Sequence, residues 1–154
     1  MSLEKSIAQL LSNHRKSLSV AESCTGGLLA KRLTDIPGSS QFFKLGIVVY
    51  SNDAKKSLLK IPEKMLKDHG AISEPVAKLL ASKVRQILDT DFGIGITGIA
   101  GPGGGTKTKP VGLTFIAVST RYETLCYKCH FKGSRGKIRR SAVDQALTIL
   151  LKSL

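Results

Sequence analysis

The stretch Leu18 to Gly27 sets a short apolar run directly before a polar turn and a helix, and this order constrains the rest of the chain. Leu18-Ser19-Val20-Ala21 is apolar and partly β-branched, the pattern of a buried strand. From Leu28 to Leu33 the period changes, with Leu28, Leu29 and Leu33 apolar around Ala30, Lys31 and Arg32, which predicts a helix. Between them lie Glu22, Ser23, Cys24, Thr25, Gly26 and Gly27: one carboxylate, two hydroxyls, one thiol and two glycines. A helix N-terminus carries unpaired N–H groups, and glycines let a ligand approach the backbone. A nucleophile in such a turn would sit beside donors for an oxyanion or a phosphate. An ordinary capped strand–helix turn accounts for the same residue types.

The chain around it alternates strands with helices. Residues 2–14 read as an amphipathic helix through Leu3, Ile7, Leu10 and Leu11. Pro37-Gly38-Ser39-Ser40 ends the second helix in a loop, and Leu45 to Tyr50 reads as a second buried strand. A short helix over Ala54–Leu59, capped by Asn52 or Asp53, follows, then another from Pro62 to near Gly70. Ser73-Glu74-Pro75 opens a helix with the apolar face Val76, Leu79, Leu80, Val84, Ile87 and Leu88. Phe92 to Ile96 is a third strand, delivering Thr97 to a glycine-rich loop. Leu113–Val118 and Tyr122–Phe131 read as an antiparallel pair, Gly133–Gly136 as a basic turn, and Ile138–Leu151 as a last helix. The expected fold is α/β: a three-layer α/β/α sandwich with a mixed, mostly parallel sheet of five to six strands, one domain over residues 1–154.

Several motifs have the wrong context for the chemistry they spell. Gly93-Ile94-Gly95-Ile96-Thr97-Gly98 matches a dinucleotide fingerprint, but its glycines fall inside the predicted strand rather than in the turn after it. Cys126-Tyr127-Lys128-Cys129-His130 matches a haem-attachment pattern, yet on a strand the two cysteines point to opposite faces, which also disfavours zinc. Ser57-Leu58-Leu59-Lys60 lacks the companion motifs of penicillin-binding enzymes. His14, His69 and His130 are far apart in sequence and give no support to a histidine triad. No metal or cofactor is expected.

Composition narrows the class less than the motifs do. With 42% apolar and 23% charged residues the chain is expected to be globular, and its longest aliphatic run is too short for a membrane. Residues 1–15 lack a secretory pattern, so a cytoplasmic location is the expectation. Three cysteines are an odd count and indicate no disulfide framework. The net charge of +13 favours anionic partners without selecting among nucleic acid, acidic surfaces and phosphorylated metabolites.

What remains is a set of polar groups at three strand ends: Glu22-Ser23, Tyr50-Ser51-Asn52 with Lys55, and Thr97 with its glycine loop. In open α/β sheets ligands collect beyond the carboxyl ends of the strands, so parallel strands would bring these groups together. The basic segment Lys132 to Arg140 could reach the same crevice. A serine needs a base to become nucleophilic, and a desolvated lysine is the available one. Lys55 suits that role, although a solvated helix lysine fits its position as well.

These residues carry a family likeness. Ala21–Gly27, Pro37–Ser40, Val49–Asn52 with Ala54-Lys55, His69–Glu74, Thr97–Pro102, Lys109–Gly112 and Gly133–Arg135 with Arg139 occur in order along nearly the whole chain. In them the sequence resembles the CinA C-terminal domain family, the nicotinamide-nucleotide amidases. The resemblance implies hydrolysis of the carboxamide of nicotinamide mononucleotide to nicotinate mononucleotide and ammonia by a metal-independent Ser/Lys pair, in pyridine-nucleotide recycling. Ser23 would be the nucleophile and Lys55 its base, with Tyr50 and Thr97 as supporting groups and Cys24 as a rival nucleophile. Glu22, Thr25, Gly26, Gly98 and Gly101 would border the substrate, a phosphorylated pyridine nucleotide, and Arg135 or Arg139 would meet its phosphate. Backbone N–H groups from Cys24 to Gly26 are the expected oxyanion donors. Many family members carry this domain behind another that resembles molybdopterin-binding proteins, whose activities are not expected here. A homodimer is expected. The alternative is a basic competence-related or nucleic-acid-binding protein without amidase activity, against which stand the 5% aromatic content and the lack of a nucleic-acid motif.

Overall fold

The computed structural model describes residues 1–154. Its elements are α1 (Leu3–Asn13), β1 (Leu18–Glu22), α2 (Leu28–Thr34), β2 (Phe43–Val48), α3 (Asn52–Leu59), α4 (Glu63–His69), α5 (Glu74–Ile87), β3 (Phe92–Gly98), β4 (Leu113–Ser119), β5 (Thr124–His130) and α6 (Arg135–Ser153). The five strands form one sheet in the order β2-β1-β3-β4-β5. β1 lies parallel to both β2 and β3, and β4 runs antiparallel to β3 and β5. The three-layer sandwich with a mixed sheet expected from the sequence is therefore the one observed, with five strands; its pairings are two parallel and two antiparallel, so the sheet is less parallel than expected.

Alternation along the strands divides the core into two layers. Leu18 and Val20 of β1, with Phe92, Ile94 and Ile96 of β3, pack with α1, α2 and α6 around Leu11, Leu29, Val143 and Leu147. Ala21 faces the other way, into a cluster with Leu59, Ile61, Leu66, Val76 and Leu80 beneath α3, α4 and α5. Glu22 and Ser23 continue the alternation, so consecutive side chains at the end of β1 enter different layers.

Several boundaries differ from the sequence expectation. The second strand covers Phe43–Val48, and as an edge strand it alternates half-buried with exposed residues instead of being buried throughout. α3 begins at Asn52 and is capped by Ser51, whose hydroxyl accepts from the Ala54 amide, rather than by Asn52 or Asp53. A short 3-10 turn, Ser39–Gln41, occupies part of the expected loop. β5 begins at Thr124, after the turn that holds Tyr122. The basic turn is the start of α6, capped by Ser134. Ile87 and Leu88, assigned to the buried face of α5, are about half exposed, and Ala77 and Ala81 are buried in their place.

That last difference explains the G-x-G sequence. A Cβ on Gly93 would lie 2.2 Å from the Ala81 carbonyl oxygen, and one on Gly95 would lie 2.6 Å from that of Ala77. The glycines let α5 sit directly on β3, with alanines on the helix side. Gly95→Ala is expected to destabilise the fold by about 1–3 kcal/mol through overpacking. Gly103→Ala, at a position with nothing within 4 Å of the added carbon, is the control and should change stability by less than about 0.5 kcal/mol. Denaturant midpoints of the two variants check this.

Candidate active site

At the carboxyl ends of β1 and β3 a cavity of about 230 Å³ is lined by Ser23, Cys24, Tyr50, Asn52, Lys55, Ala71, Ile72, Thr97, Gly98, Ala100 and Arg135. The three strand ends singled out in the sequence thus converge, because β1, β2 and β3 are parallel neighbours. A larger cleft of about 400 Å³ lies at the other end of the sheet, around Lys16, Asp91, Arg121 and Tyr122. There Asp91 is already engaged by the Ser17 amide, the Ser17 hydroxyl and Lys16.

Lys55 is the least expected occupant of the smaller cavity. It shares one stripe of α3 with Leu59, four residues on, and that stripe faces the sheet. The side chain is only 2% exposed. Its Nζ donates to the Val49 carbonyl at 2.9 Å and lies 3.0 Å from Ser23 Oγ. Burial pulls the Lys55 pKa below the ordinary lysine value, because the charged ammonium loses more hydration than the neutral amine. A neutral amine here can donate one hydrogen to Val49 and offer its lone pair to the serine proton. Lys60, in the exposed S-x-x-K look-alike, instead bonds the Ser57 carbonyl.

Cys24 stands in another chemical state. Its thiol is 7% exposed among apolar neighbours, and burial pushes its pKa up to about 11. It is therefore a protonated thiol near neutral pH, a poor nucleophile beside Ser23.

The side chains of Glu22 and Thr25, expected at the substrate, lie beneath the site instead; both residues are fully buried. The Glu22 carboxylate accepts from Thr25 Oγ1 at 2.6 Å, from the Leu29 amide at 2.9 Å and from the Ala30 amide at 3.0 Å. It fills the N-terminus of α2, where Gly27 supplies no side-chain cap, so those helix donors are closed to a substrate anion. The Gly26 amide is also committed, to the Ser23 carbonyl, which removes it from the expected oxyanion donors. The Cys24 amide makes no such backbone bond, and Cys24 lines the cavity, so this donor remains available; the Thr25 amide is also unbonded but belongs to a residue wholly buried outside the lining.

The remaining candidates divide between rim and support. Thr97 Oγ1 is buried and donates to the Ala71 carbonyl at 2.9 Å. Tyr50 is 59% exposed at the rim, and its phenol oxygen accepts from Arg135 Nη2 at 2.9 Å. Arg135 also donates to the Gly101 carbonyl at 2.7 Å, so Gly101 contributes an acceptor and not an open backbone surface. Gly98 lines the cavity. Arg139 is absent from the lining; its Nη2 donates to the Thr25 carbonyl at 2.9 Å. Ala71 and Ile72 form a wall that residue chemistry could not nominate, since neither carries a reactive group. Cys126 and Cys129 stand on β5, packed against opposite sides of the sheet.

Comparison with known proteins gives a consistent picture. A family model, the CinA C-terminal domain, matches residues 1–154. A CinA-like protein of Syntrophus aciditrophicus is 52% identical over 151 residues, 97% of this chain and 36% of that protein. One of Acidobacterium capsulatum is 48% identical over 152 residues, 99% of this chain and 37% of its own length. The chain spans about a third of the length of these relatives. Among solved structures, the competence/damage inducible protein CihA from Agrobacterium tumefaciens superposes with a TM-score of 0.95 at 38% identity, covering 97% of this chain and 92% of that one. The competence damage-inducible protein A from Klebsiella pneumoniae gives 0.94 at 31% identity, covering 97% and 93%. With the family model matched from end to end, this chain belongs to the CinA C-terminal domain family.

Proposed function

We propose that the chain is a serine amidohydrolase that cleaves the carboxamide of nicotinamide mononucleotide, releasing ammonia and leaving nicotinate mononucleotide. The observation that carries this reading is the Ser23 Oγ to Lys55 Nζ contact of 3.0 Å, made by a buried amine whose pKa is held down. Neutral Lys55 takes the Ser23 proton as Oγ attacks the carboxamide carbon, and the oxyanion meets the free amide of Cys24. The protonated lysine then returns that proton to the departing amine, giving ammonia and an acyl-serine. Water attacks the ester with Lys55 again as base, which frees the carboxylate and restores the hydroxyl. Thr97 has spent its own proton on Ala71, so toward substrate it acts as an acceptor, suited to the carboxamide NH2.

Arg135 supports the preference for a phosphorylated substrate. It stands exposed at the cavity rim with a planar fork of donors, and Tyr50 holds it there. Arg139 has turned its fork toward the protein.

The direct test is ammonia release from nicotinamide mononucleotide by the purified protein. Ser23→Ala is expected to lower kcat by at least ~10³-fold, whereas Cys24→Ala keeps substantial activity. Equal loss in both variants would transfer the nucleophile's role away from Ser23. Lys55→Met should lower kcat by about 10²–10⁴-fold.

Titration gives a separate prediction. In the wild type kcat/KM should rise with pH along an acid limb centred below 10.5, as Lys55 loses its proton. The same burial affects stability: between the lowered native pKa and the unfolded value, the unfolded chain binds the extra proton. Wild-type stability relative to Lys55→Met is therefore greatest above the unfolded pKa and declines as pH falls toward the native one. Denaturant titrations at neutral pH and near pH 10 check the sign. Arg135→Ala should raise KM for the phosphorylated substrate by ~10–100-fold, the loss of a charge-assisted bond of about 1.5–3 kcal/mol, with kcat much less affected.

A further inference from the structure

Thr25 is anchored twice. Its hydroxyl donates to Glu22 at 2.6 Å, while its carbonyl accepts from Arg139 Nη2 at 2.9 Å and from the Leu28 amide at 3.1 Å. Glu22 is in turn fixed by two amides of α2, and Arg139 projects from α6, in the layer where Glu22 also lies. Arg139 Nε is buried and makes no hydrogen bond within the protein, so Nη2 carries the contact to the turn. A Cβ on Gly26 would come within 3.0 Å of Arg139 Nη2, and Gly26 adopts φ +59, so the turn is shaped around this arginine. Thr25, so held, directly follows Cys24, the cavity-lining neighbour of Ser23 whose amide makes no backbone hydrogen bond.

We infer that Arg139 and Glu22 are positioning residues for the proposed reaction: by fixing Thr25 they hold the amide of its neighbour Cys24 where the oxyanion forms. This rests on the amidohydrolase reading, and it gives the two arginines separate tasks. Arg135 reads the anionic end of the substrate; Arg139 acts only through the turn. An arginine that binds phosphate contributes mainly to KM and to discrimination between phosphorylated and unphosphorylated substrates. An arginine that holds oxyanion donors contributes to kcat and is blind to the phosphate.

The experiment compares wild type, Arg139→Met, Arg139→Lys and Thr25→Val. Steady-state kinetics are measured with nicotinamide mononucleotide and with its dephosphorylated riboside, and Ser23 labelling by a fluorophosphonate probe is followed by mass spectrometry. Arg139→Met should lower kcat by ~10–100-fold on both substrates, with KM and the ratio between substrates kept. Ser23 labelling should slow in parallel, Arg139→Lys should recover part of both rates, and Thr25→Val should behave as Arg139→Met does. A rise in KM confined to the phosphorylated substrate would overturn the inference, as would unchanged labelling in a folded Arg139→Met. Should Arg139→Met not fold, the Arg139→Lys and Thr25→Val rates decide by the same criteria. A wild type that releases no ammonia yet labels at Ser23 would remove the proposed substrate and leave the labelling comparison to judge the turn. A wild type that does not label at Ser23 would overturn both.

Discussion

The Glu22 carboxylate sets the geometry on which the site depends. It is wholly buried, and it is tolerable there because three donors converge on it: one hydroxyl and two amides at the start of α2. Such a group locks the strand end to the helix that follows, since any rotation of the turn would strand a buried charge. Alternation then gives Ser23, the next residue, to the other layer of the sandwich, where Lys55 waits at 3.0 Å. A carboxylate one residue from the proposed nucleophile is thereby kept from competing for the lysine. The shared pocket exists because adjacent side chains on β1 were sent in opposite directions.

This arrangement also decides where negative charge can bind. An empty helix N-terminus beside two glycines invites an anion, and the residue types of the turn allow that reading as well as an ordinary capped turn. Here the protein's own carboxylate occupies the position. An anionic ligand would have to be met elsewhere, and the basic fork at the rim is Arg135, tied to Tyr50 and Gly101. Glycine likewise has a different task than the sequence suggested. Gly26 curves around Arg139, while Gly93 and Gly95 bring α5 against β3.

Much of the fold was legible because its signals are local: the alternation of strands with helices, the Ser73-Glu74-Pro75 helix start and the strand-borne cysteines all follow from short-range pattern. The convergence of Ser23, Tyr50, Lys55 and Thr97 was legible through topology, since parallel strands bring their carboxyl ends together. The errors share one cause, which is that residue type does not report direction. Glu22 and Thr25 looked like ligand contacts because they are polar and adjacent to Ser23, yet they face the interior. Ile87 and Leu88 looked buried because they continue a periodic face, yet α5 reaches the sheet through Ala77 and Ala81. Arg135 and Arg139 are one helical turn apart on α6, and only coordinates show that one fork faces the cavity while the other grips the Thr25 carbonyl.

Lys55 shows how the two demands on such a site conflict. The sequence left Lys55 open between a buried base and a solvated helix lysine, and the fold places it on the buried stripe of α3 with Leu59. Burying an amine costs stability at neutral pH, and the fold offsets that cost only in part, with one carbonyl and one hydroxyl as partners. A methionine would fill the stripe of α3 without titrating. The price is tolerable because the neighbours are arranged to accept a neutral amine: the Val49 carbonyl takes one hydrogen, and no carboxylate stands close enough to hold the proton in place. With a carboxylate as partner the ammonium would be stabilised, the pKa would rise, and the proposed base would be lost. The absence of an acid at Lys55 and the burial of Glu22 in the opposite layer are therefore two sides of one design constraint.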